Sequence, residues 1–407
     1  MNSEPQRVAP KMYPAHSSAN VGVKGWVAWV VAGVLGVTMA LGASAAILYH
    51  DLASRVSASV LDVSHLNPDG GDKGAENYAD TFAGRSVNIL LMGIDARIGQ
   101  SGEIINPDDD DPTMRSDTTL VMHIAEDRES ITLVSIPRDM WIKLPECTRS
   151  DGSISRAQWG QFNWAFSYGA LEDDLAGGVA CTEATVEQIA GIPIDAFVVI
   201  DFNAFANMVD ALGGVEICLD EELVDDKMLH MTFEAGCQVL DPVTATQFAR
   251  VRYVGDGSDM GRIQRQQSLL GAMVTTAMNA NLLTDMSKLY AFLTSVLQAT
   301  TLSPSLGNIR TDMGLVNSIR DLDPENFRFV TMPVLTADFD ANRLLPKEPQ
   351  NRELWDSLMD GTQLPAGTVY MDLDGNYFTV EEGGLVVPGG DPRTDDEIGS
   401  IDWNSVN

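Results

Sequence analysis

Four arginines, Arg250, Arg252, Arg262 and Arg265, fall within sixteen positions of a chain whose formal net charge is -32. Between positions 157 and 249 the sole basic residue is Lys227. Earlier in the chain Arg115 and Arg138 stand beside Asp117 and Asp139, and Asp95 precedes Arg97 by two positions. Guanidinium forks grip phosphate oxygens bidentately, and paired carboxylates can hold a divalent cation that neutralises the rest of a diphosphate's charge. The chemistry these residue types suit is therefore the handling of a diphosphate. In so acidic a chain it must be held locally, since nucleic-acid binders need broad positive surfaces to displace counterions.

The elements that would bring these groups together can be read from the local pattern. TTLVMHIA (118–125) and SITLVSI (130–136) are β-branched runs separated by the charged tetrad Glu126, Asp127, Arg128, Glu129, which reads as a hairpin. Asp117 and Arg138 then lie about equally far from the turn, so antiparallel pairing carries them to one end of the sheet. NILLMG (88–93) reads as a buried strand. If it runs parallel to SITLVSI, the loop bearing Asp95 and Arg97 leaves from that same end, where open α/β sheets bind ligands. Arg250 and Arg252 are two apart, so an extended segment would aim both the same way. The turn Gly255, Asp256, Gly257 leads to Ser258, a candidate N-cap for a helix beginning near Asp259. On that helix Asp259, Arg262 and Gln266 share a face with Leu269, Leu270 and Met273, so the polar groups should point inward at the helix start, where anions are favoured.

Other chemistry is poorly provided for. The five histidines, His16, His50, His65, His123 and His230, form no HExxH pattern, and no GxxxxGK[ST] loop or GxSxG elbow is present. Phosphoryl transfer by positioning and charge neutralisation demands little covalent chemistry from a protein and suits this inventory.

The remaining sequence sets the architecture. The uncharged run WVAWVVAGVLGVTMALGASAAILY (26–49) is long enough to cross a bilayer, and Arg7, Lys11 and Lys24 before it place the N-terminus in the cytoplasm and the rest outside; a signal peptide cleaved near Ala43, Ser44 and Ala45 is the alternative. GIPIDAFVVIDFNAFANMVDALGGVEICL supplies a strand near 196–200, a helix stopped by Gly213 and Gly214, and a strand at 215–219. FRFVTMPV (327–334) is a late strand. The fold class is α/β, an α-β-α sandwich with a mixed central sheet, preceded by one N-terminal transmembrane helix. The expected divisions are a cytoplasmic tail (1–24), an anchor (25–49), an extracytoplasmic stalk (50–85), a catalytic domain (86–335) and a C-terminal extension (336–407) with a disordered end. Four cysteines allow three connectivities. Cys218 with Cys237 is favoured because it closes a short acidic loop, which leaves Cys147 with Cys181; free buried thiols are the alternative.

Taken together, NILLMGIDAR, RSDTT (115–119), SIPRDMW (135–141), FNWAFSYG (162–169), GIPIDAFVVIDFNAF, LGGVEICL, RVR and DMGRIQRQQ (259–267) resemble the LytR-CpsA-Psr family of bacterial cell-envelope phosphotransferases. The resemblance implies transfer of a glycopolymer phosphate, teichoic acid-like or capsular, from a polyprenyl diphosphate lipid to peptidoglycan, with Mg2+. It implies Asp95 and Asp117 as the magnesium carboxylates, and Arg115, Arg138, Arg250, Arg252 and Arg262 as a diphosphate clamp with Gln266 alongside. Asp259 would orient arginines or act as base. For Arg97 and Arg265 a salt-bridged structural role is an equal alternative, and Asp139 reads as a structural partner of Arg138. An apolar lipid pocket is implied too, with 198–200 and 202–209 as candidate linings, although ordinary core explains these as well. One departure is Gln161, where the family usually has lysine; another oddity is the acidic insert NPDDDDP (106–112), read as a solvated loop. The alternatives to a transferase are a hydrolase of the same lipid diphosphate, a non-enzymatic envelope regulator, and a glycan-binding module.

Overall fold

The computed structural model describes residues 47–48, 50–67, 82–94, 114–171, 174–225, 230–251, 259–280, 282, 286–297, 300–307, 309–319 and 322–389. Among them a mixed sheet of nine strands forms the frame. In chain order these are β1 (Val87–Ile94), β2 (Ser116–Ile124), β3 (Ile131–Ile136), β4 (Ala196–Ile200), β5 (Thr300–Leu302), β6 (Phe327–Thr331), β7 (Val369–Met371), β8 (Tyr377–Val380) and β9 (Val386–Pro388). Across the sheet the order is β5-β4-β1-β2-β3-β6-β7-β8-β9. β1 pairs in parallel with β4 and β3 with β6, whereas β2 is antiparallel to both its neighbours. The expected hairpin is therefore present, β1 and β3 run in the same direction, and Arg128 adopts the left-handed conformation that the tight turn requires (φ 64°).

Both faces of the sheet are covered, which is why β1 and β3 are buried almost throughout and mostly apolar instead of alternating. The helices are α1 (Trp164–Gly169), α2 (Leu175–Ala190), α3 (Phe202–Leu212), α4 (Pro242–Arg250), α5 (Asp259–Asn279), α6 (Met286–Val296), α7 (Ile309–Ser318) and α8 (Gln350–Met359). One core joins Leu90 and Met92 of β1 to Val179 and Val186 of α2 and to Leu354 and Trp355 of α8. The other joins Ile89 and Leu120 to Leu270 of α5 and Leu315 of α7. Local signals set the helix ends. Asp201 caps α3 by accepting from the Ala204 amide at 2.7 Å, and Gly213 ends it in the left-handed region at φ 80°.

Two disulfides, Cys147–Cys181 and Cys218–Cys237, match the favoured pairing. The second joins Val215–Leu219 to Gly236–Leu240, where Cys218 and Cys237 are directly opposed.

Two expectations meet a different structure. The chain divides at Asp51 into two units, and Leu52–Asn407 is the second. Residues 52–66, expected in a stalk, belong to it: Leu52 and Val56 pack with Leu297 and Leu302, Val63 and Leu66 enter the main core, and Val60 bridges to Leu302. The polar composition of 51–84 hid this, because only the few apolar side chains carry the docking. At the other end, the segment from 336 onward supplies α8 and the edge strands β7, β8 and β9, so it completes the sheet instead of extending from it. Its short strands give too few residues for a periodic signal. The expected anchor at 25–49 and the expected disordered end from Gly389 fall almost wholly outside the described residues; among the described residues no helix is long and apolar enough to cross a membrane.

Candidate functional site

The carboxyl ends of β1 and β3 and the start of β2 meet the N-terminus of α5, and the charged groups converge there. Arg138, just past β3, places Nη1 3.0 Å from Asp117 Oδ1. Its Nε lies 3.4 Å from Asp139 Oδ2 and 3.4 Å from Asp259 Oδ1. Arg262, one turn along α5, donates from Nη2 to Asp259 Oδ1 at 2.5 Å and to the Asp117 carbonyl at 3.1 Å. Both side chains of the Asp259–Arg262 pair are only 5% exposed. Asn163 donates to Asp117 Oδ1 at 3.4 Å, and Gln161 donates from Nε2 to Asp139 Oδ1 at 2.8 Å. The polar face of α5 thus points inward, as its spacing requires.

Burial and charge set the protonation states. Burial by itself would lower the Arg138 guanidinium, but Asp117, Asp139 and Asp259 outweigh it and hold Arg138 above its ordinary value. Burial also raises the Asp139 carboxyl, and Asp259 adds to the rise against the pull of Arg138. Gln161 meets Asp139 with an amide, which offers a hydrogen bond but no positive charge to reverse that shift.

Against this cluster opens an apolar pocket of about 1080 Å³, its mouth included. Leu91, Met92, Gly93 and Ile94 of β1 form one wall, and Ile200, Phe202, Phe205 and Met208 form another. Leu269 and Leu270 continue the α5 face into it, while Asp117, Arg250, Arg262 and Gln266 supply its polar side. A Cβ at Gly93 would stand 3.1 Å from the Thr118 Cβ, so a larger residue would press this wall against β2. Of the linings read from sequence, Ile200, Phe202, Phe205 and Met208 face the pocket, whereas Val199 and Val209 are core. Strand and helix periodicity separates the two sets.

Arg250 requires a correction. It is the last residue of α4, not part of an extended pair, because Asp241 caps that helix through the Val243 and Thr244 amides and Pro242 occupies its first turn. From the helix end its guanidinium lies over the Phe202 ring, 5.1 Å from the centroid. Gln266, a lining residue, donates to the Ala249 carbonyl at 3.3 Å; Arg265, which does not line the pocket, donates to the Val251 carbonyl at 3.0 Å and braces the end of α4. Arg115 is half-buried directly before β2. Asp95, Arg97, Arg252, Ser258, the 255–257 turn and the 106–112 insert lie outside the described residues. Sequence reasoning missed Asp201, which lines the pocket and whose carboxyl burial raises against the bonds it accepts from the Ala204 and Asn203 amides. Its position before FNAF was a legible N-cap signal.

The LytR_cpsA_psr family model matches residues 62–360. The chain belongs to the LytR-CpsA-Psr family. The match begins within the segment expected as a stalk and ends beyond the expected domain boundary, in keeping with the packing of both regions. The cell wall biosynthesis protein LcpA of Corynebacterium glutamicum is 27% identical over 66% of this chain and 54% of its own length. LcpB of the same organism is 35% identical over 47% of this chain and 42% of its own length, so the chain spans about half the length of these relatives. The polyisoprenyl-teichoic acid–peptidoglycan teichoic acid transferase TagU of Bacillus cereus is 29% identical over 60% of this chain and 69% of its own length. Among solved structures, protein gbs0355 from Streptococcus agalactiae shares the fold, with a TM-score of 0.53 at 18% identity over 69% of this chain and 90% of that one.

Proposed function

We propose that this LytR-CpsA-Psr protein is a membrane-anchored, extracytoplasmic phosphotransferase that moves a glycopolymer phosphate from a polyprenyl diphosphate carrier to peptidoglycan. The observation that carries the reading is the joining of two environments in one pocket. Leu91, Met92, Phe205, Met208, Leu269 and Leu270 offer an apolar bed, and Asp117, Arg250 and Arg262 stand at its polar side. A ligand that satisfies both is an amphiphile with a hydrocarbon tail and an anionic head. The TagU relative is named as a transferase that takes teichoic acid from a polyisoprenyl carrier to peptidoglycan, which supports this substrate class.

In this reading the diphosphate is gripped by Arg250, Arg262 and Arg138, with Gln266, Arg115 and Arg252 as further clamp members. An acceptor hydroxyl attacks the phosphate that bears the glycan. Its O–P bond forms, the P–O–P bridge breaks, the lipid monophosphate leaves and the hydroxyl proton passes to solvent. Asp259, enclosed between two guanidiniums, orients them and is not the base. Contacts on one edge fix a guanidinium fork without consuming all five of its N–H donors.

Magnesium belongs to the proposal. Among the described residues no cluster of three or more acidic, histidine or cysteine side chains could hold a metal. Asp117, a hard carboxylate on the pocket wall, fits a magnesium ligand. Its expected partner Asp95 follows Ile94, itself a lining residue, directly in the sequence. A magnesium ion bound there would offset diphosphate charge. The two disulfides support an oxidising, extracytoplasmic location for the domain, with 25–49 as anchor and the N-terminus in the cytoplasm. The test is product analysis with a polyprenyl-diphosphate glycan, peptidoglycan fragments and Mg2+. Lipid monophosphate together with glycan phosphate attached to peptidoglycan is expected, and Arg138→Ala should lose both. Free glycan phosphate alone, with acceptor present, would make the protein a hydrolase.

A further inference from the structure

Beyond the charged cluster, the hairpin of Trp141–Leu144 and Gln158–Gln161 turns an aromatic face outward. Trp141 is opposed to Gln161 and Lys143 to Trp159, and directly opposed residues project from the same face. The other face sends Ile142, Leu144 and Gly160 inward. Trp159 is 60% exposed. Phe339, 58% exposed, stands edge-on to Trp141 with centroids 6.0 Å apart, and Trp164 meets Trp141 at the same distance. Gly160 permits that packing, since a Cβ there would come within 2.7 Å of the Trp164 ring. Core packing does not account for two large rings left in water, and clustered exposed aromatics mark a binding surface.

The position of this face narrows what it binds. Contacts run in order from the pocket to the hairpin: Asp117 to Arg138, Arg138 to Asp139, Asp139 to Gln161, and Gln161 opposite Trp141. Neither Arg138, Asp139, Gln161 nor Trp141 lines the apolar pocket. If the transferase reading holds, the lipid phosphate departs on the pocket side. Attacking and leaving oxygens lie roughly in line, so the acceptor hydroxyl must arrive from the side away from the pocket. The aromatic face adjoins Gln161, at the far end of those contacts from the pocket.

We propose that Trp141, Trp159 and Phe339 form a saccharide platform that holds the acceptor glycan of peptidoglycan. A pyranose has a C–H face, which suits the electron-rich face of an aromatic ring, and a rim of hydroxyls, which suits Lys143 and Gln161. Lys143, directly opposite Trp159 on the same face, sets one ammonium among the rings, while Asp338 and Asp340 flank Phe339. The proposal rests on the phosphotransferase reading, and the two can fail separately.

The test uses the full chain and the variants Trp159→Ala, Phe339→Ala, their combination and, as a control away from the platform, Leu385→Ala. Co-sedimentation with purified peptidoglycan sacculi measures binding without turnover, and steady-state kinetics with soluble glycan fragments give KM for each substrate. The combined variant should raise the acceptor KM about tenfold, as expected for two lost ring contacts, and lose sacculus binding to a similar degree. The donor KM should stay unchanged, and Leu385→Ala should bind sacculi like the wild type. Undiminished sacculus binding by the combined variant, or a rise confined to the donor KM, overturns the platform. If the wild type binds sacculi through these rings yet transfers nothing, the transferase reading fails and the platform stands.

Discussion

Arg262→Ala should damage the fold and the site together, by an amount the geometry fixes. Arg262 and Asp259 are each 5% exposed, joined at 2.5 Å, and Arg262 also donates to the Asp117 carbonyl at 3.1 Å. Truncating the arginine leaves the buried Asp259 carboxylate facing only the Arg138 Nε at 3.4 Å among its ion pairs described above. Breaking a buried pair from one side costs about 3–5 kcal/mol, and the surviving Arg138 contact places this case near the lower figure. The lost carbonyl bond adds about 1 kcal/mol. A total near 4 kcal/mol is a large share of the roughly 5–15 kcal/mol that holds a domain folded. Urea unfolding at pH 7, followed by tryptophan fluorescence, measures it. Asp259→Ala alone should also be costly, because it takes the facing carboxylate from the buried Arg262 and one of the three carboxylates that face Arg138. The double variant removes both members, so its cost should fall below the sum of the singles by about 2 kcal/mol. A single-variant cost under about 0.5 kcal/mol, or strict additivity, would refute the buried pair as an organising contact, since surface pairs behave that way.

Three further outcomes are expected. The folded Asp139 carboxyl titrates above its unfolded value of 3.8, so its stabilising contribution is complete below pH 3.8 and declines as pH rises through the raised value. Gln161→Lys puts an ammonium beside it and should lower the Asp139 pKa in a carboxyl NMR titration; no downward movement would contradict the contact with Gln161. His123, buried in β2 against Asn88 Oδ1 at 2.8 Å, is pushed by burial down to about 4. A depressed folded value means its contribution is intact above pH 6.5 and is lost as pH falls towards 4, by about 3 kcal/mol at 1.36 kcal/mol per unit. His123→Gln should flatten the stability profile over that window, and an unchanged slope would count against the burial argument. Finally, the cysteines bracket sequence separations of 19 and 34, for which loop entropy predicts about 3 and about 4 kcal/mol of stabilisation. Serine replacement of each pair should lower the urea midpoint accordingly, and equal midpoints with and without reductant would deny both bridges.

Much of the site was legible because its spacing is local. The tetrad at 126–129 between two β-branched runs determined that Asp117 and Arg138 meet, since a tight antiparallel turn leaves no other register with both apolar faces buried. The positions of Asp259, Arg262, Gln266, Leu269 and Leu270 determined an inward polar end on a helix that continues as pocket wall. Arg250 was misread because the RVR alternation suggested a strand, while the stronger local signal, Asp241 capping a helix that begins with Pro242, stood nine residues upstream. The roles of Leu52, Val56, Val63 and Leu66 were hidden by polar neighbours, and the strands from Val369 onward were too short to announce themselves.

The sequence by itself therefore settled the chemistry available and the family: arginines and carboxylates at helix and strand spacings, and motifs in a fixed order. Tertiary structure decided which of them share a cavity. Phe202 and Arg250 are 48 positions apart, yet stacking places the cation at the mouth of an apolar wall. Gln161 and Asp139 become partners only because Trp141–Leu144 folds back on Gln158–Gln161, and that hairpin alone brings Trp141 and Trp159 onto one face. The physical reason is range. Periodicity and capping act over a few residues, whereas burial, charge balance and the shape of a pocket depend on which distant segments the sheet order brings side by side.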